Sequence, residues 1–182
     1  MGDNEGPVKK RDTIEVSSWF LGSIILTFII PALIIFLLPS DQRADGIATW
    51  AAVPVIEYLA ISVGIGLGLD PLTSFMLTVL PCIGLCMLVM GLLSYFGERS
   101  ERFTRFLDKV AGKIEKYPRF HRYGVIGSFF FVIITGVYIG SSISFLLGWH
   151  KVKSILIMGL GIVTVTTLIG LGTVGVIEVF FV

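Results

Sequence analysis

The sequence has few charged side chains and very few cysteines and histidines. Asp, Glu, Lys and Arg make up 15% of its 182 residues, whereas soluble globular chains carry roughly 25%. The two cysteines, Cys82 and Cys86, lie four positions apart in an apolar stretch, which gives no disulfide framework. No His or carboxylate stands at ligand spacing beside them, so we expect helix packing and no metal site. No nucleophile–base pair or phosphate-cradling loop occurs either, so we expect neither an enzyme nor a cofactor.

Long hydrophobic runs take the place of those missing groups. Hydrophobic residues make up 54% of the chain, and its mean hydropathy is +0.90. Several runs of about 20 apolar residues are each long enough to cross a bilayer. The chain is therefore predicted to be an all-α integral membrane protein with the lipid bilayer as a partner. Nucleic-acid binding is not expected, because acids are interspersed among the basic residues of a membrane-embedded chain.

The order of polar and apolar segments predicts one multi-pass membrane domain at 18–182 behind a polar cytoplasmic tail at 1–17. Residues 98–122 form the one extended polar segment inside this domain, a basic amphipathic stretch expected on the cytoplasmic surface. The predicted apolar segments are Ser18–Leu38, Trp50–Leu69, Leu72–Gly97, Tyr123–Gly148 and Val152–Ile177.

Prolines and glycines predict where these segments bend or end. Pro31 is expected to kink the first segment, and Asp41–Gly46 is expected to form a polar turn after it. Asp70 followed by Pro71 predicts a helix start, with Asp as the N-cap. Pro81 and Gly84 are expected to interrupt the helix that follows.

The positions of the basic residues constrain how often the chain crosses the membrane. Of the 14 Lys and Arg residues, 13 precede the first segment, lie in 98–122, or are Lys151 and Lys153, which leaves Arg43. The positive-inside rule places the 13 and the N-terminus on the cytoplasmic face of the cell membrane. Five full crossings would put 98–122 on the other face. Three full spans with two re-entrant hairpins, Trp50–Leu69 and Tyr123–Gly148, satisfy every cluster; five full spans with a weak charge bias is the alternative.

A faint internal repeat has the same layout. Gly68–Pro71 closes the first broken segment and leads into a long helix, and Gly148–Lys151 does the same for the second. Three spans and two hairpins would give the two halves opposite orientations, the inverted repeat found in many transporters.

Glu57 is the most informative single residue. It follows Pro54 by three positions in an apolar run and precedes Gly64 and Gly68. An ionisable group inside a membrane costs several kcal/mol and usually faces a cavity, a partner or a transport path. We predict that these four residues line an ion or substrate path in which Glu57 binds a proton or cation. The alternative is a structural carboxylate, hydrogen-bonded to backbone where the helix breaks.

Thr135, Gly136, Tyr138 and Gly140 occupy the matching place in the second half. Thr135 and the two glycines are small and permit close backbone approach, and the hydroxyls of Thr135 and Tyr138 can satisfy the carbonyls of a broken helix or a substrate. We predict that they line the same path. The alternative is a Gly-x-x-x-Gly helix-packing face, which is common in membranes.

These motifs resemble a known family. The run Pro54-x-x-Glu57-Tyr58-Leu59-x-Ile61-x-x-Gly64-x-x-x-Gly68-Leu69-x-Pro71 resembles the first signature of the small multidrug export family. Arg122-Tyr123-Gly124-x-x-Gly127 and Thr135-Gly136-x-Tyr138-x-Gly140 resemble its second half. Ile133 and Ile134 stand where the family usually has prolines, so the second break is expected to depend on Gly136 and Gly140. The layout is also similar to the DedA/VTT membrane proteins, which carry opposed re-entrant hairpins.

The resemblance implies transport, and it leaves three functions open. The first is a small-molecule exporter coupled to a proton or cation at Glu57. The second is a lipid transporter or scramblase of the DedA/VTT kind, with a lipid as the substrate. The third is a scaffold without transport activity that forms a homo-oligomer through its glycine faces.

The opposed arrangement of the hairpins predicts a labelling pattern. Single cysteines introduced near Thr49 and near Gly148 should react with a membrane-impermeant thiol reagent from opposite sides of the membrane. Labelling of both positions from the same side would rule out the opposed hairpins.

Overall fold

The regular structure is helical throughout the described part of the chain. A computed structural model describes residues 13–99, 105, 109, 126–147 and 150–181. Its elements are α1 (Thr13–Ile24), a π-helical turn (Ile25–Ile29), α2 (Ile30–Leu37), α3 (Arg43–Ile56), a 3-10 turn (Glu57–Leu59), α4 (Ala60–Gly66), α5 (Pro71–Arg99), α6 (Gly127–Leu146) and α7 (Lys151–Phe181). Five stretches are long and apolar enough to cross a membrane: Trp19–Leu37, Arg43–Gly66, Pro71–Phe96, Gly127–Leu146 and Lys151–Val176. The prediction of an all-α, multi-pass membrane protein is confirmed.

Some predicted segments fall wholly or partly outside the described residues. These are the polar tail up to residue 12, most of the basic segment 98–122, and Gly148. The helix α1 begins at Thr13 and therefore takes up the last residues of the predicted tail.

The predicted polar turn Asp41–Gly46 is wrong from its third residue onward, because α3 already begins at Arg43. The guanidinium of Arg43 donates from Nε to the Leu38 carbonyl and from Nη2 to the Phe36 carbonyl, each at 3.1 Å. The last carbonyls of a helix have no intrahelical donors. Arg43 therefore caps the C-terminus of α2 and holds the start of α3 against it.

The predicted interruption at Pro81 and Gly84 is also wrong, since α5 continues through both residues. Gly84 serves close packing between helices instead. A Cβ atom at this position would lie 2.9 Å from the backbone nitrogen of Thr27. The glycine thus lets the π-helical turn of the first span lie directly against α5.

Pro31 does distort the first span, and the distortion is the π-helical turn that precedes it. Proline has no N–H, so Pro31 cannot donate to the carbonyl four residues earlier, that of Thr27. The indole Nε1 of Trp50 donates to this carbonyl at 2.7 Å. The proline therefore opens a hydrogen-bonding position through which α3 is joined to the first span.

Two of the apolar segments fold back on themselves. In hairpin 1, residues 43–66, a Cβ atom on Gly64 would lie 3.0 Å from Cγ2 of Thr49, whereas a straight helix would separate these residues by about 22 Å. In hairpin 2, residues 127–146, a Cβ atom on Gly140 would lie 2.9 Å from Cα of Val132; a straight helix would place them about 12 Å apart. Each arm of the hairpins is shorter than the roughly 20 residues that a crossing needs.

The two hairpins extend from opposite ends of the helical bundle. Ser62, near the end of hairpin 1, lies with its Oγ 2.7 Å from Oγ1 of Thr173, near the end of α7. Hairpin 2 is followed almost directly by Lys151, the first residue of α7. At 1.5 Å per residue, Lys151 and Thr173 are about 33 Å apart. The open ends of the hairpins therefore lie at opposite ends of α7, and their tips meet between them.

Contacts along α5 also show which elements lie at each end of the bundle. Near its start, Ser74 lies against Gly64 of hairpin 1. Near its end, Ser94 lines a small cavity together with Trp19 and Lys151. The beginning of the first span, the end of α5 and the start of α7 thus share one end of the bundle. Arg43 is at the other end, which agrees with the grouping of the basic residues in the sequence.

The two halves of the chain repeat at an interval of 80 residues. The N–H of Leu67 donates to Val63 at 2.9 Å and that of Leu147 to Ile143 at 3.0 Å, so both hairpins end alike. Buried positions of α5 recur as buried positions of α7: Ser74 with Ser154, Thr78 with Met158, Pro81 with Gly161, Cys82 with Ile162, Cys86 with Thr166, and Met90 with Gly170. The same face of each long helix therefore packs into the centre.

The predicted helix start at Asp70 is confirmed. Its Oδ2 accepts the N–H groups of Leu72 at 3.0 Å and of Thr73 at 3.2 Å, and Pro71 is the first helical residue. Two N–H groups that lack intrahelical partners are thereby satisfied.

This cap yields a stability prediction. Asp70→Ala should lower the free energy of unfolding by about 1 kcal/mol, because both N–H groups lose their acceptor. Asp70→Asn keeps an acceptor and should retain most of the stability. Thermal unfolding in detergent, followed by circular dichroism, compares the two variants; equal losses in both would mean that the carboxylate charge, and not the hydrogen bonds, stabilises the helix start.

Candidate functional site

Glu57 forms the tip of hairpin 1 in a backbone conformation that is unusual for its residue type. It ends α3 with φ 52° and ψ −120°, and among the described non-glycine residues it alone has a positive φ. Such a conformation costs about 1–3 kcal/mol for a residue with a Cβ atom. A glycine would occupy this position without strain. The interactions of the Glu57 carboxylate must therefore offset the free energy that the strained backbone costs.

Gly136 forms the tip of hairpin 2. Its φ of 88° and ψ of 173° fall in a region that is essentially restricted to glycine. A Cβ atom at this position would lie 2.5 Å from Oε2 and 2.8 Å from Oε1 of Glu57. Glycine is therefore required twice, once for the turn and once for the close approach of the carboxylate.

The carboxylate joins the two tips. Glu57 Oε2 accepts a hydrogen bond from the backbone N–H of Val137 at 2.8 Å. In an uninterrupted helix this N–H would donate to Ile133, but the turn at Gly136 makes Val137 the start of a new helical arm. The N-terminus of a helix carries partial positive charge, which stabilises an anion. The contact is of the kind expected in the alternative interpretation of Glu57, a structural carboxylate that is hydrogen-bonded to backbone at a helix break.

Two tyrosines cross between the hairpins in a reciprocal way. The hydroxyl of Tyr138, on hairpin 2, donates to the Pro54 carbonyl on hairpin 1 at 2.8 Å. The hydroxyl of Tyr58, on hairpin 1, donates to the Val132 carbonyl on hairpin 2. The two tyrosines are 80 residues apart, the interval of the repeat. Each hairpin thus supplies a phenol that satisfies a carbonyl near the break of the other.

We call these contacts the join: the carboxylate of Glu57 at Gly136 and Val137, and the two bonds from tyrosine to carbonyl. The join has a buried side and an exposed side. Tyr58 and Val132 are buried, whereas the bond between Tyr138 and Pro54 is exposed. Glu57 lies between them with intermediate exposure. A carboxylate at the edge of a packed join can exchange protons or contact a ligand without the whole join being taken apart.

The interior beyond the join is apolar and rich in sulfur. Cys82, Cys86, Met90 and Met158 are all buried in one cluster. Neither cysteine takes part in a disulfide. Within the described part of the chain, no group of three or more His, Cys, Asp and Glu residues could hold a metal ion.

Four of the eight residues predicted to line the path meet at the join: Glu57, Pro54, Gly136 and Tyr138. Thr135 is adjacent to it, with its Oγ1 donating to the carbonyl of Phe131 at 2.7 Å in its own helix. Gly140 lies in the contact between the two arms of hairpin 2.

Gly64 and Gly68 lie away from the join. Gly64 packs against Thr49 and Ser74, and Gly68 turns the chain with φ 95° before Asp70. Their contacts are those of hairpin packing and of a turn.

Sequence reasoning missed the direct contributions of Tyr58 and of the Val137 N–H. Tyr58 could have been found from the repeat, because Tyr138, one of the residues predicted to line the path, stands 80 residues later. No side chain could have revealed Val137, since its functional group is a backbone amide. Gly136 marks the break that frees this amide, but the sequence does not show which side chain of the other hairpin reaches it.

The close approach at Gly136 yields a second stability prediction. Gly136→Ala should lower the free energy of unfolding by about 1–3 kcal/mol from backbone strain alone, with a further loss from displacement of Glu57. Gly172→Ala is the matched control, because a Cβ atom at Gly172 meets no atom within 4 Å. It should unfold at or above the temperature of the unmodified protein. Equal unfolding temperatures for the two variants would contradict the assigned packing at Gly136.

Comparison with known proteins identifies the family. The family model described as "Putative small multi-drug export protein" matches residues 58–168. No curated protein and no solved structure gave a match. The matched range covers more than half of the chain; it starts one residue after Glu57 and includes Tyr58, the whole of α5 and the tip of hairpin 2. The chain therefore belongs to the small multi-drug export family of membrane proteins.

Proposed function

We propose that the protein is a secondary transporter that exports small molecules, and that proton or cation binding at Glu57 is coupled to movement of the hairpins. The family description supports export. The observation that carries the coupling is the hydrogen bond from the Val137 N–H to the Glu57 carboxylate. It makes the contact between the two hairpins depend on the charge of one acid.

The charged and neutral forms of Glu57 differ in how strongly they hold hairpin 2. The carboxylate is a charge-assisted acceptor that also benefits from the partial positive charge of the helix N-terminus. A protonated carboxyl group loses that charge and with it most of the interaction. Proton binding therefore weakens the join, and proton release restores it.

The described polar side chains around Glu57 are phenols and thiols. Tyr58 and Tyr138 flank it, and Cys82 and Cys86 lie on the packed face of α5. These phenols and thiols are neutral when protonated. We therefore assign the coupled proton to the carboxyl group of Glu57.

The arrangement of the hairpins suits alternating access. In many transporters, broken helices from two inverted repeats meet near the centre of the membrane, and one repeat rocks against the other. Here the hairpins extend from opposite ends of α7 and meet at their tips. We propose that both are re-entrant, that the join lies near the middle of the bilayer, and that the basic residues set the N-terminus in the cytoplasm of a cell membrane. Loosening the join would open one side of the site while the packing along α5 and α7 remains.

A transport assay tests the coupling directly. The full chain, reconstituted into vesicles, should transport ethidium, a lipophilic cation, when a pH difference is imposed. Glu57→Gln keeps the shape of the side chain and an acceptor oxygen but removes the charge and the proton site. We expect it to lower pH-driven flux about tenfold or more, within the usual range of coupling free energies.

The matched control is Glu178→Gln, which removes an exposed carboxylate near the end of α7 and should leave flux unchanged. Two results would overturn the proposal. One is pH-driven flux that Glu57→Gln leaves intact. The other is no ethidium flux together with movement of fluorescent lipid between leaflets without a gradient, measured by dithionite accessibility, which would favour a scramblase.

A further inference from the structure

A separate groove lies between α2 and α3, away from the join of the hairpins. It has a volume of about 310 Å3. Its lining is apolar apart from one guanidinium and one indole, and it consists of Ala32, Ile35, Phe36, Arg43, Ile47 and Trp50. Phe36 is 69% exposed and Ile47 is 52% exposed, so the groove is open along its side.

The one charge in the groove is rigidly placed. Arg43 is held by its bonds to the Leu38 and Phe36 carbonyls, and its guanidinium carbon lies 5.3 Å from the centre of the Phe36 ring. A guanidinium carries five N–H donors, and the two carbonyl bonds leave the others for an anion. The acids nearest in sequence, Asp41 and Asp45, are both described, and neither forms an ion pair with Arg43. Asp45 lies in the first turn of α3, where the helix N-terminus stabilises its charge.

The apolar wall is equally well defined. Trp50 is fixed by its bond to the Thr27 carbonyl and by an edge contact with Phe28, with ring centroids 5.7 Å apart. Its ring therefore keeps one orientation beside the groove. Arg43 is at the level where α2 ends and α3 begins, whereas Ala32 lies more than one helical turn farther into the first span. The groove thus has a cationic end at the helix termini and an apolar body along the helices.

We propose that this groove binds an anionic phospholipid. The phosphodiester accepts from the free N–H groups of Arg43, and one acyl chain lies against Ala32, Ile47 and Trp50. The charge of the head group, the exposed position at the helix ends and the apolar body match the two parts of such a lipid. The expected preference over a zwitterionic lipid is about fivefold, which corresponds to about 1 kcal/mol, the upper range for one exposed ion pair.

Trp50 itself can report the occupancy. Replacing Trp19 and Trp149 by phenylalanine leaves Trp50 as the one tryptophan of the three. Phosphatidylglycerol with brominated acyl chains should quench its fluorescence at about one fifth of the concentration that brominated phosphatidylcholine requires. Arg43→Lys should keep this preference, because it keeps the charge. Arg43→Gln should abolish it, while quenching by phosphatidylcholine persists. Ala32→Phe, which fills the groove, should reduce quenching by both lipids.

Matched controls separate the site from a general effect of charge. Lys153→Gln removes an exposed cation at the other end of the bundle and should not change Trp50 quenching. Unchanged emission from Trp50 without lipid shows that a variant has folded. Equal quenching by the two lipids, a preference that survives Arg43→Gln, or full competition by inorganic phosphate would overturn the proposal. Quenching that falls as protein concentration rises would overturn it too, because a second copy would then cover the groove.

Discussion

The need to hydrogen-bond a broken backbone in apolar surroundings is the constraint on which the rest of the structure depends. Val137 begins a helical arm in the middle of the protein, and its N–H must find an acceptor where no water is assured. Glu57 provides that acceptor from another element. The strained backbone of Glu57 and the glycine at position 136 follow from this contact. The carboxylate at the tip of one hairpin thus satisfies a buried backbone donor at the tip of the other.

The two halves have the same layout, but they contribute different groups to this contact. The tyrosines exchange equivalent bonds, and α5 and α7 bury equivalent faces. At the tips, however, one half contributes a carboxylate and the other contributes only backbone. The symmetric part of the join consists of two bonds from phenols to carbonyls. The asymmetric part is a single carboxylate of one half that accepts from the backbone of the other.

The sequence predicted the helical membrane architecture and the cap at Asp70, because each depends on local chemistry. That Glu57 and Gly136 line an ion or substrate path stays a prediction. The predicted breaks at Pro81 and Gly84 were wrong. The free energy gained by packing α5 on several sides exceeds the free energy that a proline costs inside a helix. The partner of Glu57 could not be predicted, because it is a backbone amide brought near by the folding of 80 intervening residues. The DedA/VTT likeness and the side of the membrane on which each hairpin opens stay predictions.

The missing N–H of Pro31 has a mechanical consequence. It leaves the Thr27 carbonyl open to Trp50, and Arg43 adds two bonds from the start of hairpin 1 to the end of α2. The first span lies outside the repeat, yet it is fastened to hairpin 1 at two levels. Any displacement of hairpin 1 must therefore carry the first span along or break these bonds. The first span is thus attached to one half of the repeat, and two halves of the same layout differ in how much of the protein is bound to them.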